Sequence, residues 1–183
     1  MAPRMKTVTK VFWLFGRSGA GKTTLARRLR SGLEDLAIPV VYLDADELRA
    51  TVCSDLGFSP QARLENHRRI AEIARHLAGQ GFNVVVSTMA PEYVQRDLVT
   101  HILGDQLVWL YIHATLEVCM SRDPKGLYKR EAAGQIKNLV SYPFDAPRPE
   151  ESRILIDTGT QDIETCYHEL LEAARDQLAD FVI

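Results

Sequence analysis

Residues 10–23 read Lys-Val-Phe-Trp-Leu-Phe-Gly-Arg-Ser-Gly-Ala-Gly-Lys-Thr. Lys10 to Phe15 has the unbroken apolar run of a strand buried on both faces. The next eight residues, Gly16 to Thr23, fit G-x-x-x-x-G-K-[ST] at every fixed position. Small residues let successive backbone N–H groups turn inward around phosphate oxygens. A helix opening at Lys22 would add its positive dipole end. Lys22 would neutralise the β- and γ-phosphates, and the Thr23 hydroxyl would reach Mg²⁺. Gly16, Ser18, Gly19, Ala20, Gly21, Lys22, Thr23 and Thr24 are therefore the expected ATP-binding residues. A glycine-rich turn without a ligand is the bland alternative, and a complete motif between a strand and a helix weighs against it.

Outward from this loop, apolar runs of strand length alternate with amphipathic stretches of helix length. Lys22 to Leu36 places Leu25, Leu29, Leu33 and Leu36 on one helix stripe. Strands are expected at 39–43, 83–87, 106–112 and 153–156. Helices are expected at 60–79, about 92–103, and 161–179. The strands are continuous apolar runs, as a parallel sheet covered on both faces requires. The expected fold is a three-layer α/β domain of the P-loop NTPase type, with a mostly parallel five-stranded sheet. The segment 121–152, rich in charge, Gly and Pro, has no clear element and is expected to be a mobile lid. The 183 residues fit one domain.

The formal net charge of −2 does not suit a nucleic-acid binder, which needs a basic face. Arg27-Arg28 and Arg68-Arg69 read as solvated helix faces. Cys53, Cys119 and Cys166 show no metal or redox spacing, which points to thiols in a reducing compartment. No apolar stretch approaches the roughly 18 residues of a membrane span. A cytoplasmic protein is expected, with a small-molecule partner and neither membrane nor nucleic acid.

The chain has no Asn-Lys-x-Asp motif for guanine and no strand ending in Asp-Glu as in ATPase motors. After the second strand it reads Asp44-Ala45-Asp46-Glu47-Leu48-Arg49, two carboxylates at the strand edge where α/β sheets bind ligands. Either can accept a hydroxyl proton or help place a metal, and Asp46 can equally be a helix N-cap. Further on stand Phe58, Arg63-Leu64-Glu65-Asn66, and Arg122-Asp123-Pro124-Lys125-Gly126-Leu127-Tyr128-Lys129. From about Val11 to Asp157 the chain resembles the adenylylsulfate (APS) kinase family, which phosphorylates the ribose 3′-hydroxyl of adenosine 5′-phosphosulfate.

The resemblance implies roles residue by residue. Asp44 and Asp46 match the carboxylates that hold the acceptor ribose, Asp46 being the expected base. Arg49 matches the arginine that follows, and Phe58 the ring that packs on the acceptor base. Arg63 and Asn66 match the pair that grips the phosphosulfate. Without the family, Arg63 reads equally as a surface salt bridge. Arg122 and Lys125 belong to a lid that closes over ATP, Lys125 with a catalytic role. The family also implies a homodimer. Ala45, Glu47 and Ala90 depart from the family pattern, and Leu139 stands where a Phe completes the acceptor's aromatic sandwich. Two acceptors therefore stay open: APS itself, or another nucleotide-linked compound such as cytidine diphosphoramidate. A non-catalytic nucleotide-binding module is a third reading, opposed by the presence of Lys22, Asp46 and the lid cations.

Overall fold

In chain order the elements are β1 (Val11–Phe15), α1 (Lys22–Asp35), β2 (Val40–Asp44), α2 (Ala45–Ala50), α3 (Pro60–Gly79), β3 (Asn83–Ser87), α4 (Tyr93–Leu103), β4 (Leu107–His113), α5 (Leu116–Arg122), α6 (Leu127–Ala132), β5 (Leu155–Asp157) and α7 (Ile163–Ala179). They come from a computed structural model that describes residues 9–137 and 143–179. Every strand pair is parallel, in the order β2-β3-β1-β4-β5.

β1 explains why its sequence does not alternate. Phe12 and Leu14 pack on one side with Leu25, Leu29 and Leu33 of α1 and Leu170 and Ala174 of α7. Val11, Trp13 and Phe15 pack on the other with Ile70, Ala71 and Ala74 of α3 and Val99 and Leu103 of α4. With helices on both faces, every position is apolar. β4 departs from that expectation, because its burial alternates. Val108, Leu110 and Ile112 are buried, while Leu107, Trp109, Tyr111 and His113 are half-buried. The cause is coverage: Leu107, Trp109 and Tyr111 lie at the margin of the cluster formed with α3 and α4 and are only partly covered by it.

Several boundaries move by a residue or two for local reasons. Leu36 is the C-cap of α1 and 45 % exposed, so the apolar stripe ends at Leu33. Glu92 lies outside α4 and caps it in a reciprocal box with Gln95. Gln161 precedes α7, whose first N–H groups are bonded by Asp162. The segment 121–152 is not without elements: it holds the end of α5 and all of α6. Asp123 ties these two helices by accepting from the Tyr128 and Lys129 N–H groups.

Candidate functional site

The C-terminal ends of β1, β2 and β3 gather the loop 16–23, the Asp44–Asp46 turn and the chain after Ser87 at one edge of the sheet. In the loop, Gly16 has φ +150°, and a Cβ there would lie 2.2 Å from the Ile112 carbonyl oxygen. Gly19 has φ +84°, and its Cβ would meet the Cys119 carbonyl at 2.8 Å. Glycine is thus required twice by conformation and by space. Lys22 Nζ donates to the Arg17 carbonyl at 2.7 Å, folding back over the loop. Burial lowers the Lys22 ammonium to a pKa of about 8 against the opposing pull of Asp46. Such a desolvated cation, at a nest of N–H groups, is suited to a polyanion that repays the desolvation.

Beside the loop is a cavity of about 330 Å³, lined by Gly19, Gly21, Thr24, Arg122, Pro124, Thr158, Gln161, Ile163 and Cys166. Its mixture of small, apolar and amide groups suits a nucleoside. Arg122 does not point freely into the cleft. It donates through Nη1 to the Thr158 hydroxyl at 3.2 Å and through Nη2 to the Thr158 carbonyl. Thr158 in turn donates to the Ala20 carbonyl at 2.8 Å. The Tyr128 hydroxyl donates to the Ser18 carbonyl at 3.0 Å, so α6 rests on the loop. Thr158, Gln161, Ile163 and Cys166 were missed in the sequence. Their one signal is position, just beyond the last strand at the ligand edge.

Across the loop, Asp44 and Asp46 have different surroundings. Asp44 is 6 % exposed. Its Oδ2 accepts from the Tyr42 hydroxyl at 2.7 Å, Thr23 Oγ1 at 3.3 Å and Ser87 at 3.4 Å. Its Oδ1 accepts from the Asp46 N–H at 2.8 Å. Burial alone would raise its pKa, but the Tyr42 hydroxyl and the N–H groups of Asp46 and Glu47 outweigh it and hold the carboxyl below its usual range. The helix cap is therefore Asp44, not Asp46. Asp46 is exposed and forms an ion pair with Lys125 of the 121–152 segment. Thr23 and Asp44 bring a hydroxyl and a carboxylate together beside the phosphate loop, hard oxygen donors of the kind Mg²⁺ takes.

The remaining acceptor-side candidates lie on α2, α3 and the connection between them. Arg49 donates to the Gly57 carbonyl at 2.7 Å, and its guanidinium lies 4.9 Å from the Phe58 ring centre. Arg63 donates to the Phe58 carbonyl at 3.0 Å and lies 6.0 Å from the same ring. Arg63 is 8 % exposed, so it is not a surface salt bridge. Asn66 is 2 % exposed and its Oδ1 has no hydrogen-bond partner among the described residues. The neighbouring His67 donates from Nδ1 to the Arg63 carbonyl at 2.8 Å, and its Nε2 has no partner among the described residues. Burial, aided by the charges of Arg49 and Arg63, lowers the His67 pKa to about 4. Phe58 is 56 % exposed. Leu139 lies outside the described residues. Ala90, in the loop after β3, is buried at φ +41°. The expectation of solvated helix faces agrees with the ion pairs Arg27–Glu47 and Arg68–Glu65 at the surface. All three cysteines are free and buried. No helix among the described residues is long and apolar enough to cross a membrane.

A parallel sheet with this loop at its C-terminal edge, a nucleoside cavity on one side and a carboxylate–lysine pair on the other defines a P-loop kinase. Within that class the chain belongs to the adenylylsulphate kinase family, whose profile matches residues 8–157. An adenylyl-sulfate kinase of Vibrio parahaemolyticus is 39 % identical over 169 residues, 92 % of this chain and 80 % of the relative. One from Paraburkholderia xenovorans is 38 % identical over 163 residues, 88 % and 90 % of the two chains. Among solved structures, the APS kinase CysC of Mycobacterium tuberculosis in complex with AMPPNP and APS superposes with a TM-score of 0.86 at 30 % identity, covering 91 % of this chain and 98 % of the other. A gluconokinase of Sinorhizobium meliloti, 18 % identical with a TM-score of 0.62 and covering 96 % of this chain and 94 % of its own, shares the fold alone.

Proposed function

We propose that this kinase transfers the γ-phosphate of ATP to the ribose 3′-hydroxyl of adenosine 5′-phosphosulfate. The observation that carries the reading is the Asp46–Lys125 pair. It brings a carboxylate from the second strand's edge and a cation from the 121–152 segment together beside the phosphate loop. One can take a proton and the other can follow a moving phosphoryl charge.

ATP lies with its base in the cavity beside Thr158 and Arg122 and its phosphates on the backbone of residues 16–23. Lys22 holds the β- and γ-phosphates. The Arg63 guanidinium and the Asn66 amide hold the acceptor's anionic group, and Phe58 receives its base. Asp46 accepts the proton of the 3′-hydroxyl as that oxygen bonds to the γ-phosphorus. The bond from phosphorus to the β–γ bridging oxygen breaks and ADP leaves. Lys125, released from Asp46, offsets the charge on the transferring group. Asp44, whose carboxyl the Tyr42 hydroxyl and two N–H groups hold below the usual range, is the poorer base. With Thr23 it is the group that would hold Mg²⁺, which screens the phosphate charges when bound.

The chain acts as one kinase domain with 121–152 as its lid, in the cytoplasm and as a homodimer, the last being checked by its mass in solution. The functional test is a coupled ATP-consumption assay with Mg²⁺, offering APS and cytidine diphosphoramidate separately. Turnover with APS at low concentration is the expected result. Turnover with the cytidine compound alone would reassign the acceptor, with Ala90 and Leu139 as marks of a retuned pocket.

A further inference from the structure

Arg96 is the largest fully buried charged side chain among the described residues, with no exposed surface. Its Nε lies 3.1 Å from Glu151 Oε2, whose side chain is 3 % exposed. The N–H direction misses the carboxylate, so this is a charge contact and not a directed hydrogen bond. Burying two charges is seldom repaid by their mutual attraction alone. The guanidinium's other contacts must account for its presence.

They join three parts of the chain. Nη1 donates to the Ala90 carbonyl at 2.8 Å, and Nη2 to the Asp145 carbonyl at 3.2 Å. The guanidinium carbon lies 4.9 Å from the Tyr93 ring centre, 5.4 Å from Phe15 and 5.9 Å from Phe144. Ala90 sits at φ +41°, where residues other than glycine are strained, so something must hold it there. The Asp145 N–H donates to the Pro91 carbonyl at 2.8 Å, closing the same contact from the other side. The loop held in this way also reaches the phosphate loop, because the Gly16 N–H donates to the Met89 carbonyl at 3.3 Å. Phe144 reaches it too: its ring stacks on Phe15 at 6.5 Å, with Arg17 lying 5.1 Å from its centre.

We infer that Arg96 is a positioning residue for the acceptor nucleotide, holding the Ala90–Pro91 turn and the Phe144–Asp145 segment together as one wall of the acceptor side. This rests on the kinase reading above. The turn follows β3 directly, and β3 ends at Ser87, in register with Asp44. A displaced turn would therefore disturb the ground beside Asp44 and Asp46, while the nucleoside cavity at Thr158 and Arg122 is built from other elements. The fork geometry matters. A lysine is a single point charge that cannot serve two carbonyls while lying flat on rings.

The test compares Arg96→Lys and Arg96→Met with wild type, varying the acceptor at saturating ATP and measuring AMPPNP affinity by calorimetry. Both variants are expected to raise the acceptor KM about tenfold or more, as a misplaced wall would, with AMPPNP affinity weakened by no more than about threefold, because the wall touches the phosphate loop only at its start, through Met89 and Phe144. Adding Ala90→Gly to Arg96→Lys should recover at least about threefold of that KM, because glycine adopts positive φ unaided. Glu151→Gln, which leaves both carbonyl contacts, should change the acceptor KM by less than about threefold. If Arg96→Met does not fold, Arg96→Lys and Glu151→Gln decide. An unchanged acceptor KM, or AMPPNP affinity weakening as much as the acceptor KM rises, would overturn the inference and leave the kinase reading intact. No turnover by the wild type with either acceptor would overturn the kinase reading and this inference with it.

Discussion

Asp44 and Asp46 are the same residue type two positions apart, and only their neighbours separate them. Asp44 accepts from three hydroxyls and a backbone N–H, whereas Asp46 is exposed and paired to a lysine 79 positions away in sequence. Their substitutions should therefore differ in kind. Asp46→Asn should lower kcat by about 10²-fold or more with ATP binding largely intact, the loss expected for a general base. Near wild-type turnover would remove Asp46 from that role. Asp44→Asn should instead raise the Mg²⁺ concentration giving half-maximal rate by about tenfold, since it disturbs the oxygen ligands beside Thr23. Lys22→Ala should abolish turnover. The motif fixing Lys22 and Thr23 was legible because eight consecutive residues carry it. The division of labour between the two aspartates was not, because Ser87 meets Asp44 only through the register of β2 with β3, and Thr23 only through the packing of α1 against that edge.

At the scale of elements, α3 carries a buried polar stripe, Arg63, Asn66 and His67, continuous with its apolar one. His67 has its imidazole stacked on Trp13 at 6.3 Å and no partner for Nε2 among the described residues. Its folded pKa, near 4, lies below the unfolded value, so the unfolded chain takes up the proton first as pH falls. Stability is then full above pH 6.5 and lost between 6.5 and about 4, by roughly 3 kcal/mol from this group. His67→Leu should remove that loss, read as the difference between denaturant midpoints of the two proteins at pH 7 and pH 4.5. Equal acid sensitivity would show that the imidazole is not held neutral. α1 and α7 meet where Gly32 faces the Tyr167 hydroxyl, 2.4 Å from where a Cβ would stand. Gly32→Ala makes the Tyr167 side chain give way, so its gain should fall short of the roughly 1 kcal/mol that alanine's helix propensity offers, read from denaturant midpoints. A gain of the full amount would mean that Tyr167 swings aside without cost. Helix periodicity revealed both helices, but not that a glycine of α1 faces Tyr167 of α7, which depends on crossing geometry.

For the molecule as a whole, the α5–α6 segment leans on the phosphate loop through Tyr128 and on the acceptor edge through Lys125. Lys125→Gln should reduce kcat by about 10²-fold while AMPPNP affinity changes by less than about threefold, since its target is the charge of the moving phosphoryl group. A loss confined to ATP affinity would make it a nucleotide-binding residue only. The parallel sheet, its strand count and the phosphate-loop motif were determined by the sequence alone. Unbroken apolar runs need cover on both faces, and a local motif carries its own geometry. Tertiary structure alone decided the rest: which aspartate is saturated, where Arg122 turns, why β4 alternates, and that a buried arginine joins Ala90 to Asp145. Each of these depends on groups far apart in the chain, brought together by packing that no local pattern records.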